Sequence, residues 1–262
     1  MKKAVFVFLS FFILSFQVYD LKMINKINIT ADFFTTDNLG NSYLVVGNEL
    51  LKYDPTGKIF SKYSNKYLGE ISFVDASNPL NILLFYKDFS KALFLDNMLA
   101  EKGKPIKLQD YQLEQATLVS SSHNNGIWVY DQASFQLICL DQQLKIVQQT
   151  GNLPQILGIN LRPNFFIEYN NWLYLNNPET GILVFDIYGT YYKTIPIKSL
   201  QSFQVIDNTI FYYKDNEFRS YHMKTLEESK INQPESLPLN VRIEKNRLFI
   251  LQEEYFSIYS LH

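Results

Sequence analysis

One unit recurs along the chain and leaves few folds open. It consists of an apolar strand, a polar turn, a second apolar strand ending in an aromatic or aliphatic residue plus Asp, and a charged third strand. It first reads Asn41-Ser42-Tyr43-Leu44-Val45-Val46 with Leu50-Leu51-Lys52-Tyr53-Asp54, then Asn81-Ile82-Leu83-Leu84-Phe85-Tyr86 with Ala92-Leu93-Phe94-Leu95-Asp96. Later copies pair Ile127-Trp128-Val129-Tyr130 with Leu137-Ile138-Cys139-Leu140-Asp141, and Trp172-Leu173-Tyr174-Leu175 with Ile182-Leu183-Val184-Phe185-Asp186. The fifth, Thr209 to Tyr213 with Phe218 to His222, loses the Asp; the sixth is Leu248 to Leu251 with Phe256 to Ser260. The second strands end at 54, 96, 141, 186, 222 and 260, so the spacings are 42, 45, 45, 36 and 38. That is the size of a four-stranded propeller blade.

Another short strand precedes each pair, at 33–36, 71–74, 117–120, 165–167, 203–206 and 241–243, and supplies strand A to the pair's B and C. Strand D follows, as at 58–60, 145–147 and 191–193. The sixth unit stops after strand C, while an alternating segment at 23–29 stands ahead of the first strand A. One end is therefore expected to complete the blade begun by the other, removing the wet edges of an unclosed stack. The expected fold is all-β: a six-bladed β-propeller of four-stranded antiparallel blades, one domain over 18–262. The 18 Tyr and 21 Phe suit half-buried pleated surfaces, and a chain 47% hydrophobic is not a disordered one.

Two hairpins of the first unit carry a resemblance. Asp37-Asn38-Leu39-Gly40-Asn41-Ser42-Tyr43 and Tyr53-Asp54-Pro55-Thr56-Gly57-Lys58 are similar to hairpins of NHL-type blades. The chain resembles the six-bladed propellers with degenerate repeats, the group that includes NHL, YWTD and strictosidine-synthase-like proteins. Later units keep the pattern and drop the glycines, so the resemblance implies an architecture and no functional subfamily.

The first residues read as an address. Met1-Lys2-Lys3 is basic, and Ala4 to Phe16 is apolar apart from Ser10 and Ser15, too short a run to span a bilayer comfortably. A signal peptide over 1–17 is expected, ending where Gln17-Val18-Tyr19-Asp20 turns polar, with a retained anchor as the alternative. No Cys follows the apolar run, which excludes a bacterial lipoprotein anchor. The expected location is periplasmic or secreted, in a Gram-negative bacterium, with no stable membrane anchor after cleavage. A net charge of −2 without any basic cluster argues against nucleic acid as a partner. Cys139 is the single cysteine and reads as a small buried hydrophobe.

Asp54, Asp96, Asp141 and Asp186 each stand where strand C turns into strand D, and an Asp there accepts from backbone N–H groups further along the turn. A second acidic series, Asp37, Asp75, Glu168, Asp207 and Glu244, follows strand A and gathers toward one mouth of the central channel. Turn chemistry is its ordinary reading. The alternative is a Ca²⁺ site at the channel mouth, with Glu168 and Asp207 as candidate metal ligands. His123, His222 and His262 share no motif, and no nucleophile elbow or phosphate-binding loop is present, so no catalytic residue is assigned.

The B–C loops and D–A connectors share a face, and they carry Tyr67, Phe89, Tyr111, Phe135, Pro154, Leu157, Arg162 and Tyr255. Aromatics and Arg are the types that dominate interface energetics. The leading expectation is a monomeric, non-catalytic protein-binding or scaffold module whose partner is another envelope or secreted protein, with no cofactor. A metal-assisted hydrolase or lactonase at the channel mouth is one alternative. Glycan binding by Trp128 and Trp172 is another, although both lie within strand B patterns, where core packing is expected.

Overall fold

The B and C strands are apolar at nearly every position, so their sheets must bury both faces. Sheets packed radially around an axis satisfy that demand, each face covered by a neighbour. The computed structural model describes residues 21–234 and 237–261 and has this architecture; the expected signal peptide at 1–17 lies outside the described residues.

The chain enters through β1 (Leu21–Asn28) and builds blade 1 from β2 (Phe33–Thr36), β3 (Ser42–Val46), β4 (Glu49–Tyr53) and β5 (Ile59–Ser64). Blade 2 comprises β6 (Phe73–Asp75), β7 (Ile82–Tyr86), β8 (Lys91–Leu95) and the short β9 (Ile106–Lys107). Blade 3 is β10 (Ala116–Ser121), β11 (Ile127–Asp131), β12 (Gln136–Leu140) and β13 (Ile146–Gln149). A five-residue helix, α1 (Leu153–Leu157), leads into blade 4: β14 (Phe165–Tyr169), β15 (Trp172–Asn177), β16 (Gly181–Asp186) and β17 (Tyr191–Ile195). Blade 5 is β18 (Gln204–Ile206), β19 (Thr209–Lys214), β20 (Glu217–His222) and β21 (Glu228–Ile231). Blade 6 is β22 (Asn240–Glu244), β23 (Arg247–Leu251) and β24 (Tyr255–Leu261), with β1 as its outer strand. The closing pair is antiparallel, from Leu21 opposite Leu261 to Asn28 opposite Tyr255.

The strand A expected at 71–74 is displaced to Phe73–Asp75. Ile71 instead donates its N–H to the Gly47 carbonyl in the preceding B–C loop, a contact between blades that local pattern does not encode. That hook repeats around the ring. Leu108 donates to Ser90, Leu153 to Phe135, Ser199 to Pro178 and Ile29 to Glu254, each joining a D–A connector to the B–C loop it passes.

The core is six seams rather than one centre. Alternate residues of a strand face opposite neighbours: Trp128 and Tyr130 pack toward blade 4 against Leu173 and Phe185, while Ile127 and Val129 pack toward blade 2 against Leu83 and Phe85. At the closing seam Phe34 of blade 1 meets Phe256 of blade 6 edge-on, with ring centroids 5.0 Å apart. Cys139 is buried in the seam between blades 3 and 4, where burial pushes its thiol up to about 11, as expected of a packing residue.

The C–D turns of blades 1 to 4 use the Asp device in one form. The Oδ1 of Asp54 accepts from the N–H groups of Thr56 and Lys58; Asp96 does the same for Met98 and Ala100, Asp141 for Gln143 and Lys145, and Asp186 for Tyr188 and Thr190. In blade 5 the turn is one residue longer, His222 pairing with Glu227, and the His222 Nδ1 accepts from Thr225 N–H in the carboxylate's place.

Candidate functional site

The innermost strands of blades 1, 2, 4, 5 and 6, with residues just before or after them, line the central channel, a cavity of about 420 Å³. Its two ends differ in chemistry. Phe33, Phe73 and Phe165 open their strands and Phe203 immediately precedes β18, giving the end nearer the D–A connectors an aromatic wall. Phe165 reaches Phe203 at 5.0 Å and Phe73, two blades away, at 6.0 Å, all edge-to-face. Asp75, Glu168 and Glu244 stand at or near the other ends of their strands, with Thr36 and Gln204 beside them.

The carboxylates at that end serve mainly as clamps between blades. Asp75 of blade 2 accepts from Ser121 N–H and Ser120 Oγ of blade 3 as well as from Ser77 N–H. Glu168 of blade 4 reaches back to blade 3, where Oε1 accepts the His123 N–H and faces His123 Nδ1 at 3.0 Å, and Oε2 accepts from Trp128 Nε1 at 2.7 Å. Its own N–H donates to Ser120 Oγ. Further around, Asp207 N–H donates to Tyr169 Oη, and Gln204 exchanges two hydrogen bonds with the Ile243 backbone. Asp37 is a turn residue inside blade 1, accepting from Leu39, Asn41 and the buried Tyr43 hydroxyl, which burial and Asp37 together push well above its ordinary range.

Glu168 and Asp207 are not brought together as a ligand pair. Glu168 lines the channel with both oxygens engaged, whereas Asp207 is exposed in the A–B turn at a φ of 52° and does not line it. Among the described residues no three His, Cys, Asp or Glu side chains converge as a metal-binding group.

The eight residues expected on one face do lie in B–C loops, in D–A connectors or, for Tyr255, at the first residue after such a loop. Their exposure divides them. Tyr67 is 93% and Phe89 50% exposed, and Arg162 is exposed. Tyr111 packs onto the seam between blades 2 and 3, and Phe135 and Leu157 onto the next seam. Pro154 is half-buried at the start of α1, and Tyr255 lies beneath Lys26, whose ammonium is 3.4 Å from the ring centroid. Ile156, Leu237 and Leu239 are exposed apolar residues of the same connectors that the repeat pattern did not single out. Trp128 is fully buried, as its strand implies, while Trp172 is half-buried and meets Tyr192 of the outer strand at a tilt, with ring centroids 5.0 Å apart.

Arg242, in the middle of β22, also went unremarked in the sequence. It is the one cation among the described channel-lining residues. Its Nε donates to Thr36 Oγ1 across the closing seam. Burial pushes its guanidinium down to about 10 in spite of Glu244 and Asp75, and burial raises the carboxyl of Glu244.

No family model matches the sequence, and no curated protein does. Solved structures do match in shape. A streptogramin B lyase is 12% identical with a TM-score of 0.63, over 93% of this chain and 98% of that one. The Pan2 WD40 domain of Neurospora crassa is 8% identical at 0.66, over 92% and 95%, and BamB from Moraxella catarrhalis 10% identical at 0.52, over 92% and 98%. At these identities the likeness is one of fold: the chain is an all-β, six-bladed propeller, similar in fold to a lyase, a WD40 domain and BamB alike.

Proposed function

We propose that the protein is an exported, non-catalytic propeller, NHL-like in its first blade, that binds another envelope or secreted protein through the B–C and D–A face. The fold alone does not choose, since its neighbours include a lyase and a WD40 domain. The observation that carries the reading is the exposed apolar set on that face: Tyr67, almost wholly in solvent, with Phe89 held over Gly69 by the close approach of its ring. Around them the backbone is hooked loop to connector, so these side chains stand on a rigid frame. An aromatic on a rigid support loses little entropy on binding and makes an effective anchor.

The test is a Tyr67→Ala/Arg162→Ala double variant beside a Tyr192→Ala control on the outer rim. Partner capture from an envelope fraction should fall at least tenfold for the double variant alone, at an unchanged melting temperature. Equal capture by all three proteins would remove this face. Export has its own readout: the mature protein should begin near residue 18 outside the cytoplasm, and a full-length cytoplasmic chain would overturn it.

A second reading, a metal-assisted hydrolase at the channel mouth, draws on the pairing of Glu168 with the half-exposed imidazole of His123. It requires a stoichiometric metal in the purified protein that the Glu168→Gln variant loses; metal-free wild-type protein that keeps its stability in chelator would sink it.

A further inference from the structure

We infer that the central channel is a binding site for a small organic acid, a carboxylate on an apolar or aromatic body, with Arg242 as its anchor. Three observations meet there. The cavity, at about 420 Å³, lies within the range of small-molecule sites, roughly 300–1,000 Å³, and is walled at one end by Phe33, Phe73, Phe165 and Phe203. Arg242 projects from the middle of one wall strand, and only its Nε is used, on Thr36. Neither an ion pair nor a second side-chain hydrogen bond involves it among the described residues, so both terminal nitrogens of a half-buried guanidinium find no acceptor there.

A partly desolvated cation without a paired anion adds little to the seam, and a packed apolar residue of similar volume can take its place without loss of stability. The fork geometry of the free Nη groups matches a carboxylate, which would supply both the charge and two parallel hydrogen bonds. Nearby acids compete less than their number suggests. Asp75 and Glu168 direct their oxygens into N–H and O–H groups of blade 3, and Glu244 shares its Oε2 with Gln204. A ligand with its carboxylate on Arg242 extends its apolar body toward the Phe rings, whose edge-to-face arrangement offers both ring faces and ring edges.

The experiment is calorimetric titration of the mature chain with 3-phenylpropionate, acetate and 3-phenylpropionamide, repeated with Arg242→Met. The wild type should bind 3-phenylpropionate at one site per chain. Acetate, lacking the apolar body, and the amide, lacking the charge, should each bind about tenfold more weakly or worse, a loss of about 1.4 kcal/mol or more. Arg242→Met should lose binding yet melt at or above the wild-type temperature. The inference is overturned if the wild type does not bind the acid at millimolar concentration, or if acid and amide bind equally. It is equally overturned if Arg242→Met binds like wild type, or melts well below it, which would make Arg242 a structural strut. None of these outcomes bears on the outer face, so a failure here leaves the partner-binding proposal standing.

Discussion

Replacing Glu168 by Gln tests the idea that the carboxylates at the channel mouth hold blades together. The side chain keeps its shape, but three donors converge on it: His123 N–H, His123 Nδ1 and Trp128 Nε1. An amide offers one oxygen and one NH₂. If the oxygen faces Trp128, the NH₂ confronts the His123 backbone N–H; if it is flipped, the NH₂ confronts the indole. A tautomer change can relieve His123 Nδ1 but neither of the other two. One buried donor therefore stays unsatisfied, at roughly 1–3 kcal/mol, and the surviving bonds lose their charge assistance. A total near 3 kcal/mol is expected. For a chain of this size each kcal/mol lowers the melting temperature by about 2–4 °C, which gives a fall of about 6–12 °C. Thermal unfolding followed by circular dichroism measures it, and a Trp128→Phe background checks the cause, because without the indole donor part of the penalty disappears as a coupling of roughly 1 kcal/mol or more. A Glu168→Gln protein melting within about 2 °C of wild type would refute the clamp.

Three further outcomes follow from the turns and the closure. Asp54→Ala should cost about 1–2 kcal/mol, while Asp54→Asn, whose amide oxygen accepts the same two N–H groups, should cost less than half of that in a denaturant titration. Burial raises the Asp54 carboxyl, but hydrogen bonds from Thr56 and Lys58 outweigh it and leave the group below its ordinary value. Its contribution is therefore present above about pH 4 and is lost as pH falls through the lowered folded value, so Asp54→Asn should flatten the wild-type fall in melting temperature on acidification. Gly126→Ala places a Cβ 1.9 Å from the Leu140 carbonyl oxygen, so expression should yield misfolded or insoluble protein; a soluble variant with wild-type stability would refute the close approach. Deleting residues through Asn28 bares the edge of β24 and the apolar rim of two seams, and size exclusion should show larger assemblies than the intact chain forms.

The repeat made the architecture legible because each strand and turn is dictated locally. Alternation, the Asp-led turns and the segment ahead of Phe33 all act over fewer than ten residues or at a regular spacing. The channel was not legible, for the opposite reason. Glu168 and Trp128 meet across a seam, as do Arg242 and Thr36, and no local pattern announces a contact between residues on different blades. Glu168 also reads as a turn acid, yet it is an inward residue of β14, one position before its end. The helix α1 was missed although its signals are present: the Asn152 side chain accepts from Gln155 N–H, Pro154 stands in its first turn, and Gly158 ends it in the left-handed region. In a chain full of strands, a single helical turn inside a connector has no periodicity to reveal it.

The pairing of β1 with β24 carries a consequence for the order of events in folding. Leu21 and Leu261 sit side by side, so this pairing brings together the most distant parts of the described chain. During synthesis blades 1 to 5 can form and stack in turn, but the sixth has no outer strand of its own and must recruit one laid down at the start. Such long-range pairing is slow, and until it occurs β1 is a loose alternating strand beside an unfinished ring. A nascent chain halted before residue 255 is therefore an open arc with two sticky ends, and only the arrival of β24 turns it into a disc.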